Sequence, residues 1–410
     1  MPQETIQKLN YGVVVSQLIK QAPNEMIPEF TNKEFQRNPY PFYDAARSFS
    51  PVFWSAFHRI YFVLGAKALH EVIVNKRFSV DSPFRASRVL FGRTIMDVEG
   101  EEHSRLRSIV NRGFIPSEYP KYVEDYVCPI INEQLTPMVR DGGGDFISQF
   151  ANHIPTRIMS HIIGIPVERY LEFFELSLPI IRYLDVSSSS NLADARQAMS
   201  RLKDIVDETL IEERNQPQNT IIGKLIKSKL AGKPINDDEI ARQVGLLIPA
   251  AIDTTNRLIA NTLYLLALYS DWQKILRDDH SIIPAFVEEV MRFEPPIHSS
   301  VRTCIETCKL EGVTIEKGAM LNINFAAANR DPSFFESPNI FDPKRNKVKR
   351  HFSFGGGKHQ CMGRSFATVE VVEVVKAVIR AGSFYLSEPD STFINGVAFR
   401  SPEKLLLSFK

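Results

Sequence analysis

One segment of this 410-residue chain limits the folds it can adopt more than any other, the stretch 236–270. It opens with Asn-Asp-Asp-Glu at 236–239, which offers a capping side chain and acidic residues suited to a first helical turn. Apolar residues then continue on almost every side over 244–268. The spacing predicts one helix of about 32 residues, roughly 48 Å long. A helix that is apolar nearly all round lies buried in a large domain, so we expect one domain over residues 1–410.

Strand-like segments lie near the N-terminus. Residues 52–54 and 60–64 are rich in β-branched and aromatic side chains, and 66–75 is typical of a short helix after Gly65. From 99 to about 380 most segments have a helical period, with loops marked by proline and glycine. We therefore predict a mainly α fold with a minor β-sheet region.

The charge balance and the hydropathy pattern exclude some classes of protein. Lys and Arg number 49 against 48 Asp and Glu, a net charge of +1, which argues against a nucleic-acid-binding protein. The best apolar run near the N-terminus, 11–15, is too short for a signal peptide or a membrane-spanning helix. We expect no membrane anchor and a cytoplasmic location.

The four cysteines, Cys128, Cys304, Cys308 and Cys361, are too few in a chain of this length for a disulfide framework. Cys304 and Cys308 stand four apart without His or Cys partners at zinc-like spacing. We interpret those two as packing or loop residues rather than as metal ligands.

The strongest chemical signal is the glycine-rich stretch HFSFGGGKHQCMGR at 351–364. Glycines allow positive φ and a close approach of the backbone to another group. Cys361 precedes a helical pattern and lies near Lys358, His359 and Arg364, which favours its thiolate form. A thiolate presented by such a loop suits a single metal centre held from one side.

Three other kinds of site have a glycine-rich stretch with a cysteine or a lysine. A phosphate-binding loop fails, because Phe352 and His359 stand where that pattern needs Gly and Ser or Thr. A cysteine nucleophile lacks a suitable base, since His359 is only two residues away. A glycine-rich turn around a buried structural cysteine stays open on these residues alone.

The pattern Phe354-x-x-Gly357-x-x-x-Cys361-x-Gly363 resembles the haem-binding signature of the cytochrome P450 family. Further motifs of this family occur earlier in the chain, in the order that the family has them. They are His-x-x-x-Arg at 103–107, Ala-Ala-Ile-Asp-Thr-Thr at 250–255, Glu-x-x-Arg at 289–292, Ala-Asn-Arg-Asp-Pro at 328–332 and Phe-Asp-Pro-Lys-Arg at 341–345. Their joint occurrence is far more specific than any one of them.

The resemblance implies a haem b cofactor with Cys361 as the thiolate ligand of iron, a ligand that favours O–O cleavage. Phe354 and Gly363 belong to the same loop, and Phe354 would shield the sulfur. The cations implied for the haem propionates are His103, Arg107, Arg302 and His359. Glu289, Arg292 and Arg345 are implied to form a buried structural network.

Asp253 and Thr254 are the two residues of the long helix whose side chains are candidates for catalysis. A carboxylate among apolar side chains is costly without a partner or a task, and Thr254 can bond the carbonyl of Ala250. The resemblance implies that Thr254 takes part in oxygen activation while Asp253 relays protons; the alternative is a salt-bridged aspartate beside an ordinary threonine.

Ala251 stands where the family often has glycine, and Pro249 predicts a bend near 245–249.

The resulting hypothesis is a monooxygenase that inserts one oxygen atom from O2 into an apolar small molecule, as in natural-product tailoring. By resemblance, substrate contacts come from Ala251, Ile252, Ile297, Val397 and Ala398 and from the loop 84–98. We expect Arg85 and Arg88 of this loop at the surface, the commoner place for arginine, with contact of one of them to an acidic group of the substrate as the alternative. Peroxide-driven oxidation, oxidative coupling or dehydrogenation, and a haem-based gas sensor are the alternatives.

No flavin-binding or iron–sulfur segment is visible, so electrons are expected from an external ferredoxin or flavodoxin with its reductase. A basic stretch suits an acidic donor of this kind. It comprises Lys344, Arg345, Lys347, Lys349, Arg350 and Lys358.

Overall fold

The computed structural model describes residues 26–185, 191–216, 218–227, 229–230, 233–346 and 348–410. The apolar run at 11–15 and Lys347 lie outside these residues. The described residues fall into two compact units. The first unit contains the described residues up to Val80, together with Met291–Cys361 and Ile394–Arg400. The second unit contains the described residues of Asp81–Val290, Met362–Phe393 and Ser401–Lys410.

Helices make up most of the described chain, as the sequence pattern predicts. In chain order they are α1 (Lys33–Arg37), α2 (Tyr40–Phe49), α3 (Ala66–Val74), α4 (Ala86–Phe91), α5 (Gly100–Val110), α6 (Tyr119–Tyr122), α7 (Cys128–Arg140), α8 (Ile154–Ile163), α9 (Tyr170–Leu184), α10 (Leu192–Asn215), α11 (Ile221–Ile226), α12 (Asp237–Leu268), α13 (Asp271–Asp278), α14 (Ile283–Phe293), α15 (Phe325–Asn329) and α16 (Arg364–Ala381).

The strands are short. They are β1 (Val52–Ser55), β2 (Ile60–Val63), β3 (Phe78–Ser79), β4 (Gly143–Asp145), β5 (Lys229–Leu230), β6 (Lys233–Pro234), β7 (Ser299–Cys304), β8 (Cys308–Leu310), β9 (Val313–Ile315), β10 (Met320–Asn324), β11 (Phe384–Leu386), β12 (Ile394–Asn395), β13 (Ser401–Pro402) and β14 (Leu406–Phe409). The prediction of a mainly α fold with a minor β region is confirmed.

The first unit is built on a five-stranded sheet in the order β1-β2-β10-β7-β3. β1 and β2 form the predicted N-terminal strands and pair antiparallel, with Val52 opposite Val63. β10 runs parallel to β2 and antiparallel to β7, so Leu321 lies beside both Tyr61 and Arg302. Apolar side chains of the sheet and of α3 share one core, in which Leu69 and Leu321 are fully buried.

The second unit is organised around α12, the long helix that the sequence predicts. Asn236 caps it: its side chain accepts the N–H of Glu239 at 2.8 Å, and the Glu239 carboxylate accepts the N–H of Asn236 at 3.2 Å. The helix packs against α8, α9, α10 and α16. Pro249 lies inside the helix without ending it, and the bend predicted there stays a prediction.

None of the helices in the described part of the chain has the length and apolar character that crossing a membrane requires.

Candidate functional site

The glycine-rich loop of the first unit takes a conformation that two of its residues make possible. Gly355 and Gly357 have φ of 65° and 60°, a region that side chains with a Cβ rarely adopt. A Cβ built on Gly357 would also lie 3.1 Å from the backbone carbonyl oxygen of Ile73, in α3. The loop therefore approaches α3 closely at a point where glycine is needed.

Cys361 ends this loop. Its N–H donates to the carbonyl of Phe354 at 2.9 Å, and the N–H of Gly355 donates to the carbonyl of Phe352 at 2.7 Å. Phe354 is buried, whereas Cys361 is exposed. The interpretation of Cys361 as a buried structural cysteine is therefore wrong, because the loop presents the thiol rather than enclosing it.

A buried amide holds the start of the loop. Asn329, at the end of α15, accepts the N–H of Phe352 at 2.7 Å and donates to Ser353 Oγ at 2.7 Å. Ser353 Oγ in turn donates to the carbonyl of Met291 at 2.6 Å. Sequence reasoning missed this role of Asn329, although the residue lies within the 328–332 landmark.

Two arginines of the implied structural network converge on one carbonyl. The fully buried Arg292 donates to the carbonyls of Asn329, Pro338 and Ile340 at 2.9, 2.8 and 3.1 Å. Arg345 donates to Ile340 at 2.8 Å, to Ser337 at 3.1 Å and to Glu336. Both side chains thus fix the segment 336–340. Glu289 is fully buried in the second unit.

The cations implied for the propionates occupy both units. In the first, Arg302 is buried on β7 and donates to the carbonyl of Val301 at 2.9 Å, and His359 is half-buried in the cysteine loop. In the second, His103 is buried and Arg107 half-buried, one turn apart on α5.

Asp253 and Thr254 lie at the centre of α12. Thr254 Oγ1 donates to the carbonyl of Ala250 at 2.7 Å, the bond that the sequence allows. Asp253 Oδ2 accepts Nε of Arg257 at 2.8 Å, so the aspartate is ion-paired within its own helix. Sequence reasoning missed Arg257, although an acid followed by a base four residues later is a readable helical pattern.

The apolar candidates for substrate contact form one group in each unit. In the first, Ile297 pairs with Phe399 in a short antiparallel bridge, and the N–H of His298 donates to the carbonyl of Ala398 at 2.9 Å. Val397 and Ala398 are buried beside them in the chain. In the second, Ile252 is buried and Ala251 half-buried on α12.

The expectation that Arg85 lies at the surface is wrong. Only 9% of its side chain is exposed, and Nη1 donates to the carbonyl of Met96 at 2.9 Å and lies 3.3 Å from Asp97 Oδ1. Arg88 Nη1 donates to the carbonyl of Asp97 at 3.3 Å. Because these partners belong to the same loop, both arginines stabilise the fold of 84–98.

Cys304 and Cys308 pack in the core of the first unit with their sulfurs 4.0 Å apart. Within the described residues no group of three or more His, Cys, Asp or Glu side chains is placed to hold a metal ion. In the basic stretch, Lys344, Arg350 and Lys358 are exposed.

A buried charge cluster in the first unit had no signal in the sequence. Glu294 accepts Nε of Arg400 at 3.0 Å and lies 3.3 Å from His298 Nε2 and 3.7 Å from Arg330 Nη2. Burial opposes the charge of Glu294, but Arg400, His298 and Arg330 together lower its pKa to about 2. Burial lowers the pKa of His298 to about 4, so this imidazole is neutral at pH 7.

The residues present fit a haem. The exposed Cys361 thiol supplies a donor suited to iron, and the glycine-rich loop that carries it turns through two positive φ angles. Arg302, whose guanidinium pairs with carboxylates, and His359, whose ring can donate a hydrogen bond, lie in the same unit.

Comparison with known proteins agrees with this fit. The Cytochrome P450 family model matches residues 23–394. The biotin biosynthesis cytochrome P450 of Bacillus subtilis (strain 168) is 28% identical, over 92% of this chain and 98% of its own. The polyketide biosynthesis cytochrome P450 PksS of the same organism is 30% identical, over 68% of each chain.

Solved structures show the same relationship. The crystal structure of P450BioI in complex with hexadec-9Z-enoic acid ligated acyl carrier protein has a TM-score of 0.86 at 27% identity, covering 92% of this chain and 100% of that one. The structure of Bacillus subtilis PksS has a TM-score of 0.85 at 25% identity, covering 93% and 100%. The chain therefore belongs to the cytochrome P450 family of haem monooxygenases.

Proposed function

We propose that this protein inserts one oxygen atom from O2 into an apolar small molecule, by hydroxylation or epoxidation. The observation that carries the proposal is the exposed Cys361 thiol on its glycine-rich loop. A haem bound through this thiolate supplies reductive activation of O2, with electrons from an external ferredoxin or flavodoxin and its reductase. The family match over 23–394 includes residues of both units and supports one domain.

In this proposal the chain's own residues hold the cofactor and manage protons. Cys361 binds iron, Phe354 shields the sulfur, and Arg302, His359, His103 and Arg107 neutralise the two propionates. Thr254 keeps its hydroxyl bonded to the carbonyl of Ala250, which leaves its oxygen able to accept a further hydrogen bond. Asp253 takes up a proton at its carboxylate and passes it on.

The substrate is proposed to be apolar because Ala251, Ile252, Ile297, Val397 and Ala398 carry no polar side-chain atoms. Several relatives carry names from biosynthesis, namely of biotin, of a polyketide and of pulcherriminic acid. Tailoring of a biosynthetic intermediate in the cytoplasm is therefore the proposed role. The P450BioI complex holds hexadec-9Z-enoic acid on its carrier protein, and structures of CYP109E1 from Bacillus megaterium hold corticosterone or testosterone. Titration of this protein with these three compounds, followed by the shift of the Soret band, tests the substrate class.

The experiment that tests the proposal as a whole is the carbon monoxide difference spectrum of the reduced protein. We expect the far-shifted Soret band of sulfur-ligated iron in the natural protein and its loss in Cys361→Ser. Cys128→Ser, which removes a half-buried thiol elsewhere, is the matched control and should keep the band. A natural protein without the band, or a Cys361→Ser variant that keeps it, contradicts the proposal.

The same preparation separates the alternatives. Product formed with ferredoxin, its reductase and NAD(P)H, and not with hydrogen peroxide alone, agrees with the proposed use of O2. Product formed equally with peroxide alone favours the peroxide-driven reaction, and binding of carbon monoxide without any turnover favours a gas sensor.

A further inference from the structure

Asp253, at the centre of α12, has a basic partner one turn later on the same helix. Arg257 Nε donates to Asp253 Oδ2 at 2.8 Å, and Arg257 Nη1 donates to Ser401 Oγ at 3.2 Å, where β13 begins. The pair is largely shielded from water, with 13% of the Asp253 side chain and 23% of the Arg257 side chain exposed. The guanidinium thus holds the carboxylate while Ser401 holds the guanidinium.

This arrangement bears directly on proton transfer at Asp253. An acid that precedes its base by four residues is the favourable order on a helix, so the pair forms without a partner from another helix. A proton that adds to either oxygen of the carboxylate removes the negative charge on which the ion pair depends. Pairing with Arg257 and uptake of a proton therefore oppose each other at Asp253.

We propose that Arg257 is a positioning residue that sets how readily Asp253 takes up and releases a proton. The inference rests on the proposed function, in which Asp253 relays protons. Arg257 holds the carboxylate in one orientation between transfers, and the hydrogen bond to Ser401 keeps the guanidinium close enough to re-form the pair afterwards.

The test follows the dithionite-reduced, haem-loaded protein after mixing with oxygenated buffer in a stopped-flow instrument. The Soret absorbance returns to that of the oxidised protein as one electron passes to dioxygen and one proton is taken up to give hydroperoxyl. The return rate is measured in H2O and in D2O, so that a contribution from proton transfer is visible. This readout needs neither a substrate nor a redox partner.

The decisive comparison is between two backgrounds. Two quantities are compared, the return rate and the ratio of that rate in H2O to that in D2O. In the natural background we expect Arg257→Met to change both by about threefold or more. In an Asp253→Asn background the same substitution should change them by less than about 1.5-fold, because the effects of residues that act through one another are not additive. Arg257→Lys should restore part of the natural rate, since an ammonium can pair from the same position. Ser401→Ala should cause a smaller change in the same direction.

A second ion pair on α12 supplies the control. Arg242 pairs with Asp238 at the same spacing in an exposed position, so Arg242→Met should leave the return rate unchanged. Urea unfolding of the Asp253 and Arg257 single and double variants is a readout independent of haem chemistry, and it should show coupling between the two residues.

The outcomes separate this inference from the proposed function. If Asp253→Asn leaves the rate and the D2O effect unchanged, the proposed proton relay fails. If Asp253→Asn changes them but Arg257→Met has the same effect in both backgrounds, the relay stands and the positioning role is overturned, leaving a purely structural ion pair. If Arg257→Met does not fold, Arg257→Lys and Ser401→Ala are compared in both backgrounds with the same criterion.

Discussion

Glu370, in the middle of α16, is a fully buried carboxyl whose Oε1 has no hydrogen-bond partner among the described residues. Burial raises its pKa to about 8 from a usual value of 4.5. The folded protein therefore keeps this proton at neutral pH, whereas the unfolded chain releases it. The contribution to stability is complete below pH 4.5 and is lost as the pH rises towards 8.

We expect Glu370→Gln to raise the free energy of unfolding at pH 8 by a few kcal/mol and to change it little at pH 4.5, because a neutral amide has no proton to lose. Urea unfolding at the two pH values measures the difference. Glu373→Gln on the same helix is the control, since Glu373 is ion-paired with Lys376 and partly exposed. An equal effect of Glu370→Gln at both pH values would contradict the assignment of the raised pKa.

At the scale of elements, one side chain of α15 forms two hydrogen bonds to the start of the cysteine loop. Asn329 bonds both the backbone of Phe352 and the hydroxyl of Ser353, and it is fully buried. Removing it leaves the buried N–H of Phe352 without its acceptor, which costs about 1–3 kcal/mol, and takes one donor from the half-buried Ser353 hydroxyl.

We expect Asn329→Ala to lower the free energy of unfolding by about 2–4 kcal/mol and to weaken haem retention, because the loop that presents Cys361 loses its anchor. Urea unfolding and the haem-to-protein absorbance ratio measure the two effects. Asn339→Ala, at an exposed asparagine of the same unit, should change both much less. A normal haem ratio in Asn329→Ala would show that the loop holds its shape without this bond.

The elements also show what the sequence could and could not predict. The start of α12 follows from Asn236 and Glu239, and the start of β1 from β-branched and aromatic residues, because these signals are local. The Asn329–Ser353 and Glu294–Arg400 bonds join residues 24 and 106 positions apart, and no periodicity encodes such pairs. Family motifs pointed to Cys361 and Asp253, but the motif at 250–255 ends before Arg257.

At the scale of the whole molecule, charge is nearly balanced, so long-range attraction of a partner has to come from a local group of like charges. Lys344, Arg350 and Lys358 are exposed in the same unit as Cys361. Arg345, from the same stretch, bonds backbone carbonyls and is therefore a poor choice for mutation.

We expect Lys344→Gln combined with Lys358→Gln to slow reduction by an acidic ferredoxin about threefold to tenfold at low salt and to flatten the salt dependence of the rate, because fewer charges steer the encounter. Stopped-flow reduction at several ionic strengths measures this. Lys309→Gln with Lys317→Gln removes the same charge from exposed positions of the same unit and serves as the control. Equal effects of the two pairs would assign the change to net charge rather than to a docking surface.

The proline inside α12 has a consequence for how the longest described helix opens. Pro249 has no N–H, so the Gly245 carbonyl lacks its helical donor, and the next turn carries a carbonyl shared with the Thr254 hydroxyl. The backbone ladder is thus thinnest near the centre of the helix, between two stretches, 243–249 and 258–263, whose side chains are buried. Amide hydrogens over 250–254 should exchange with deuterium sooner than those of the helical turns on either side, so local opening of this helix should start near its centre.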